Sequence, residues 1–271
     1  MFNNKNKKKD TKNQAVQEDE TILRGRGRSF AIAEAHKRLR TNIIFSFTED
    51  SSCRVVGVTS SIAHEGKSTT SMNLAYDMLQ AGKKVLLIDA DMRLSKYEET
   101  LGINRSPGLS NILVGDNSGE NIIQQVPDMG NLSVISCGDI PPNPTELLSS
   151  RRMNHLVESL KRSFNYIIID LPPVALVSDA LIVSKLCDGM VVVVRQDYVD
   201  KNTLDDTVRQ LKFNDANVIG FVLTCANAGG KYYKSKYKKY YSKYGRYGKY
   251  GRYSKHGGYY GTYQRKSNSG E

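Results

Sequence analysis

Residues 61–69 read Ser61, Ile62, Ala63, His64, Glu65, Gly66, Lys67, Ser68, Thr69. A run of Val and Ile precedes them, and a helix-forming stretch begins at Lys67. That order, strand then tight loop then helix, turns backbone N–H groups and a helix N-terminus toward bound phosphate. Lys67 then reaches the β- and γ-phosphates, and the Ser68 hydroxyl is placed to ligate Mg²⁺. Ser61 stands where the phosphate-loop pattern usually has its first glycine, so the signal is Gly-Lys-Ser at a strand-to-helix junction. A lysine at a helix N-terminus is disfavoured by the dipole unless an anion is to be bound there.

Carboxylates supply the complementary chemistry. Asp89 and Asp91 follow a second apolar run, and Asp170 closes a third, Tyr-Ile-Ile-Ile. Acids at the carboxyl ends of parallel strands project into the crevice where open α/β sheets bind ligands. One such acid would pass for a helix cap. Three beside a phosphate loop point to metal binding and proton transfer.

The elements that position these groups follow from periodicity. Strands are expected over 54–59, 84–88, 132–136, 166–169, 190–194 and 218–223. Helices are expected over 29–47, 67–80, 145–162, 179–186 and 202–213. The strands are continuous Val/Ile/Leu runs, as in sheets covered on both faces. The fold class is α/β, a mostly parallel sheet flanked by helices.

Twelve of the sixteen tyrosines lie in residues 231–271: Tyr232, Tyr233, Tyr237, Tyr240, Tyr241, Tyr244, Tyr247, Tyr250, Tyr253, Tyr259, Tyr260 and Tyr263. That segment also holds twelve of the chain's 39 basic and one of its 28 acidic side chains. The whole formal charge of +11 therefore belongs to it, and the remainder is neutral. A neutral body offers no basic groove, so nucleic acid is not an expected partner. The glycine-rich tail has too few aliphatics to bury and is expected to be disordered, as is a polar arm at 1–28. The four scattered cysteines fit a reducing compartment. No segment approaches the ~18 apolar residues of a membrane span, and the polar start is no secretory signal.

A phosphate-loop body carrying a tyrosine-loaded tail resembles the bacterial protein-tyrosine kinases. Within them it is similar to the Gram-positive-type cytoplasmic subunit of capsular and exopolysaccharide synthesis. The resemblance rests on the phosphate loop, Asp89-x-Asp91, Asp170 followed by Pro172-Pro173, and the tail. Gly108-Leu109-Ser110, the run from Pro141 to Leu148, and Arg40-Thr41-Asn42 support it. It implies domains at 1–28 (arm), 29–228 (kinase) and 229–271 (autophosphorylated tail).

The resemblance also implies roles. Lys67 and Ser68 belong to the first Walker element, Asp89 and Asp91 to the element called A′, and Asp170 to Walker B. Lys67, Asp89 and Asp91 would be catalytic, Asp89 accepting the tyrosine proton, while Ser68 and Asp170 would hold Mg²⁺ with ATP bound along 61–69. The family's ring-forming E-x-x-R-x-x-R helix reads Glu34, Lys37, Arg40 here, with lysine at the middle position. The twelve tail tyrosines would be phosphoacceptors, modified between subunits. Implied partners are a membrane polysaccharide co-polymerase that activates the enzyme, further copies of the chain, other tyrosine substrates and a cognate phosphatase. The implied location is the cytoplasm, at the inner face of the membrane. Two further departures stand out. His64 falls where the family has glycine and is expected to face solvent. Thr224 replaces an asparagine that contacts the base, so that contact is not carried over.

Two other readings compete. Partition and division-site ATPases share the loop class, but carry a second lysine five residues before the loop lysine, where this chain has Ile62. A nucleic-acid-binding protein could use the Lys/Arg/Tyr/Gly tail for phosphate attraction and stacking.

Overall fold

The structure, a computed structural model, describes residues 30–47, 51–115 and 122–226. The arm at 1–28 and the tail at 229–271, with every candidate phosphoacceptor, lie outside the described residues. The described elements run α1 (Phe30–Phe45), β1 (Arg54–Ser60), α2 (Lys67–Gln80), β2 (Val85–Asp89), α3 (Tyr97–Leu101), α4 (Leu109–Val114), β3 (Ile123–Val126) and β4 (Leu132–Ile135). They continue with α5 (Pro144–Leu148), α6 (Arg151–Leu160), β5 (Tyr166–Asp170), α7 (Asp179–Val183), β6 (Gly189–Arg195), α8 (Lys201–Phe213) and β7 (Val218–Thr224).

The seven strands form one sheet in the order β3-β4-β2-β5-β1-β6-β7. All neighbours are parallel except β3 and β4, which pair antiparallel at one edge. Alternate side chains of each strand serve opposite faces. Val55, Ile167, Ile169 and Val192 join one apolar cluster, covered by residues of α4 to α8 such as Leu109, Met153, Val157, Ala180 and Leu211. Val56, Val58, Ile168 and Val191 join the other, covered by Ile43 of α1 and Met72, Leu74 and Met78 of α2. Both faces being dry explains why β1, β2 and β5 read as unbroken apolar runs.

One expected helix divides, and three further elements appear. The helix expected over 145–162 is two helices. Ser150 between them takes an extended conformation (φ −71°, ψ 156°), and its hydroxyl accepts from the Met153 N–H, capping α6. A serine cap outweighs continued helical spacing because it satisfies an otherwise orphaned donor. β3, α3 and α4 were not expected. β3 is a four-residue edge strand carrying Gln124 and Gln125, and α3 and α4 are five and six residues long. Segments that short show no resolvable period.

Candidate functional site

The site lies at the carboxyl ends of β1, β2 and β5. β1 ends at Ser60, the loop turns, and α2 starts at Lys67 as anticipated. Gly66, at the N-cap, sits at φ 88°, a left-handed conformation that strains any residue with a Cβ. His64 is also left-handed, at φ 65°, and its side chain is exposed, as expected.

The loop is braced from within and from the β6–β7 side. Glu65 is buried, and its carboxylate accepts from the Ile62 N–H at 2.8 Å and the Arg195 N–H at 3.1 Å. Arg195 also donates through Nη1 to the His64 carbonyl at 3.1 Å. Thr224 Oγ1 donates to the Glu65 carbonyl at 2.7 Å. Glu65, expected among the phosphate-contacting positions, thus works as the internal strut of the loop. Glu65→Ala leaves two partly buried N–H groups without their acceptor, at a cost of up to about 1–3 kcal/mol each. Chemical denaturation is expected to show that loss, with weaker nucleotide affinity. Unchanged stability would mean that the strut carries no load.

Strand register brings the acids together. Asp89 of β2 and Asp170 of β5 are directly paired on adjacent parallel strands. Lys67 Nζ reaches across them, 2.8 Å from Asp91 Oδ2, 3.8 Å from Asp170 Oδ2 and 3.3 Å from Ser68 Oγ. Burial alone would lower the Lys67 pKa, but the charges of Asp170 and Asp91 outweigh it and hold the ammonium above its ordinary value. Burial and the neighbouring Lys67 act oppositely on Asp170, and burial wins, raising its carboxyl. Asp89 is fully buried. Desolvation first, then the Asp170 charge, push it up to about 8, against the hydroxyl of Ser95 that donates to Oδ2. Its Oδ1 accepts from the Asp91 N–H at 3.1 Å. Asp91 Oδ1 in turn accepts from the Leu94 N–H at 3.1 Å, so the A′ turn fixes both acids.

Four groups at the site carried no sequence signal strong enough to single them out. Ser71 donates to Asp170 Oδ1 at 3.2 Å, and its spacing of four from Lys67 would have placed it on the same helix face. Ser95 has no comparable signal. Tyr97 is buried with its hydroxyl lacking a hydrogen-bond partner; burial, then the Asp170 and Asp89 charges, raise its pKa well above the usual phenol value. Asp179, almost fully buried, accepts from Thr145 Oγ1 at 2.6 Å and pairs with Arg93 Nε at 3.4 Å. That pair ties the A′ turn to α5 and α7, and it involves the Pro-Pro-Asn-Pro-Thr run noted in the sequence.

The residues fit a hard cation. Asp170 Oδ2 is buried without a hydrogen-bond partner, Ser68 Oγ lies beside Lys67, and Asp91 is close by. Mg²⁺ takes one or two carboxylates and completes its shell with phosphate oxygens and water. The three α1 positions are not at this site. Glu34 and Lys37 pair with each other at 2.8 Å, and Arg40 Nη1 donates to the Asp77 carbonyl of α2 at 3.0 Å.

Comparison with known proteins places this geometry. A family model described as an AAA domain matches residues 54–217. The tyrosine-protein kinase CpsD of Streptococcus agalactiae is 38% identical over 195 residues, covering 72% of this chain and 83% of that protein. The tyrosine-protein kinase YwqD of Bacillus subtilis (strain 168) is 35% identical over 191 residues, covering 70% and 80%. Among solved structures, the kinase domain of the Escherichia coli tyrosine kinase ETK aligns with a TM-score of 0.68 at 29% identity, over 74% of this chain and 79% of that one. The chimerical protein CapA2B2 aligns with a TM-score of 0.69 at 33% identity, over 75% and 88%.

Proposed function

The chain belongs to the bacterial protein-tyrosine kinases, and from that premise we propose that it transfers the γ-phosphoryl group of ATP to tyrosines of its own tail, between subunits. One observation supports the chemistry above all: Asp89 and Asp170 stand in register at the ends of β2 and β5, with Lys67 reaching toward them and bonded to Asp91. In this reading residues 61–69 bind the phosphates. Ser68 and Asp170 would hold Mg²⁺, which would neutralise phosphate charge, and Asp91 positions Lys67. Asp89 accepts the proton of the attacking tyrosine hydroxyl as its oxygen bonds to the γ-phosphorus and the bond to the bridging oxygen of ADP breaks. Burial raises the Asp89 carboxyl, so that in its ionised form it is a stronger base than an ordinary aspartate. Positioning and charge neutralisation suffice for such a transfer.

The tail at 229–271 supplies the acceptors, Tyr232 to Tyr263, and 29–228 the kinase. Transfer between subunits requires neighbours at high effective concentration, which ring assembly through Glu34, Lys37 and Arg40 would provide. Of these, Lys37 is exposed and would exchange its Glu34 partner to meet another copy, whereas Arg40 already clamps α1 onto α2. No helix among the described residues is long and apolar enough to cross a membrane. The family resemblance supplies the rest of the reading: an activating membrane co-polymerase that recruits the chain, a phosphatase that resets it, and control of capsular or exopolysaccharide synthesis and export.

Mixing tests the direction of transfer. Inactive full-length protein is incubated with an active form truncated after residue 228 and labelled ATP. Label is expected on the tyrosines of the inactive partner. An unmodified tail on that partner, with the active form still hydrolysing ATP, would rule out transfer in trans.

A further inference from the structure

Sheet order gives a bound nucleotide a direction. The phosphate loop stands at the end of β1, and Asp89, Asp91 and Asp170 all follow β2 or β5, on one side of it. A nucleotide with its terminal phosphate toward those carboxylates, as the kinase reading requires, sends its nucleoside the other way. It then runs over the carboxyl ends of β6 and β7.

The side chains waiting there are fixed to the loop. Arg195, the last residue of β6, bonds to Glu65 through its N–H and to the His64 carbonyl through Nη1. Its guanidinium carbon lies over the Tyr198 ring, 4.8 Å from the centroid, and Tyr198 is 45% exposed. Thr224, the last residue of β7, has its hydroxyl proton committed to the Glu65 carbonyl, and its methyl group faces Gly66. The ring of Tyr198 is thereby held beside the loop by a cation that is itself hydrogen-bonded to the loop.

We propose that Tyr198, clamped by Arg195, is the platform on which the nucleobase stacks. Every base has a π-face, so stacking on an aromatic ring holds purines without reading their edges. Arg195 adds a cation on the same ring. With its proton committed to the Glu65 carbonyl, Thr224, the last residue of β7, has no donor to offer a base edge. Base binding in this chain is therefore stacking-led, and adenine and guanine nucleotides bind alike.

The proposal rests on the reading of 61–69 as a nucleotide site, and the ligands of the test separate the two. Calorimetry with the full-length chain and Mg²⁺ compares ADP, GDP and inorganic tripolyphosphate, which has no nucleoside. Tyr198→Ala is expected to weaken ADP and GDP about tenfold, within the range for loss of one aromatic stack, and to leave tripolyphosphate unchanged. Tyr198→Phe keeps wild-type affinity for all three. Wild-type affinity for ADP in Tyr198→Ala overturns the platform, as does a parallel loss of tripolyphosphate, which would make Tyr198 a brace of the loop. Wild-type protein that binds tripolyphosphate as tightly as ADP also overturns the platform alone. Wild-type protein that binds none of the three overturns the nucleotide site and the platform with it.

Discussion

Lys67→Met protein is expected to lose at least about a hundredfold in tyrosine phosphorylation, the scale set by removing one preorganised countercharge from a transition state. The structure adds a second consequence. Lys67 is the cation bonded to Asp91 and nearest Asp170, in surroundings where its side chain is only 12% exposed. Removing one member of a buried ion pair leaves the others uncompensated and costs about 3–5 kcal/mol. The metal-free variant should therefore melt well below wild type, and added Mg²⁺ should narrow the gap by replacing the missing charge. Phosphotyrosine formation at the wild-type rate would sink the assignment of Lys67. A metal-free melt identical to wild type would show that the acids do not depend on it.

Asp89→Asn separates catalysis from stability in the opposite sense. Loss of the proton acceptor should slow transfer about 10²–10⁴-fold. Folding, however, should be favoured. The ordinary carboxyl pKa is 3.8 and that of Asp89 in the fold is raised to about 8, so the folded chain holds a proton that the unfolded chain gives up. Stability from this group is present below about pH 4 and is lost as the pH rises toward 8. Asparagine does not titrate. In metal-free protein without nucleotide, the melting temperature of Asp89→Asn should thus rise above wild type between pH 4 and 8, and the difference should level off beyond. The rise is roughly 2–4 °C for each kcal/mol recovered in a domain of this size. Equal melting temperatures at pH 5 and 8 would mean that Asp89 is ionised in the fold at no cost. Undiminished transfer would take the proton-acceptor role from it.

Most of the proposed site could be read from the chain because it is written locally. The phosphate loop is one contiguous stretch, and Asp89, Asp91 and Asp170 directly follow apolar runs that can only be buried strands. The first and last residues of α2 were placed as observed, since Gly66 and Gly82 bracket it with the left-handed φ that ends a helix. Where the chain is short of period, reading failed: β3, α3 and α4 offered too few residues, and Ser150 was passed over inside what looked like one amphipathic helix.

Sequence alone determined the fold class, the loop, the acids and the family, because each depends on residues close in the chain or on strand-length apolar patterns. Tertiary structure decided the rest. It set Asp89 against Asp170 through strand register, 81 positions apart, where burial raises both carboxyl groups and the Asp170 charge adds to the rise at Asp89. It turned Glu65 inward as a strut by bringing Arg195 to it across 130 positions. It gave Thr224 the Glu65 carbonyl as partner across 159 positions, and set Tyr198 against Arg195, which is itself bonded to the phosphate loop. Such pairings depend on which strands become neighbours in the order β2-β5-β1-β6-β7. That order comes from packing helices on two faces of one sheet, and no local spacing encodes it.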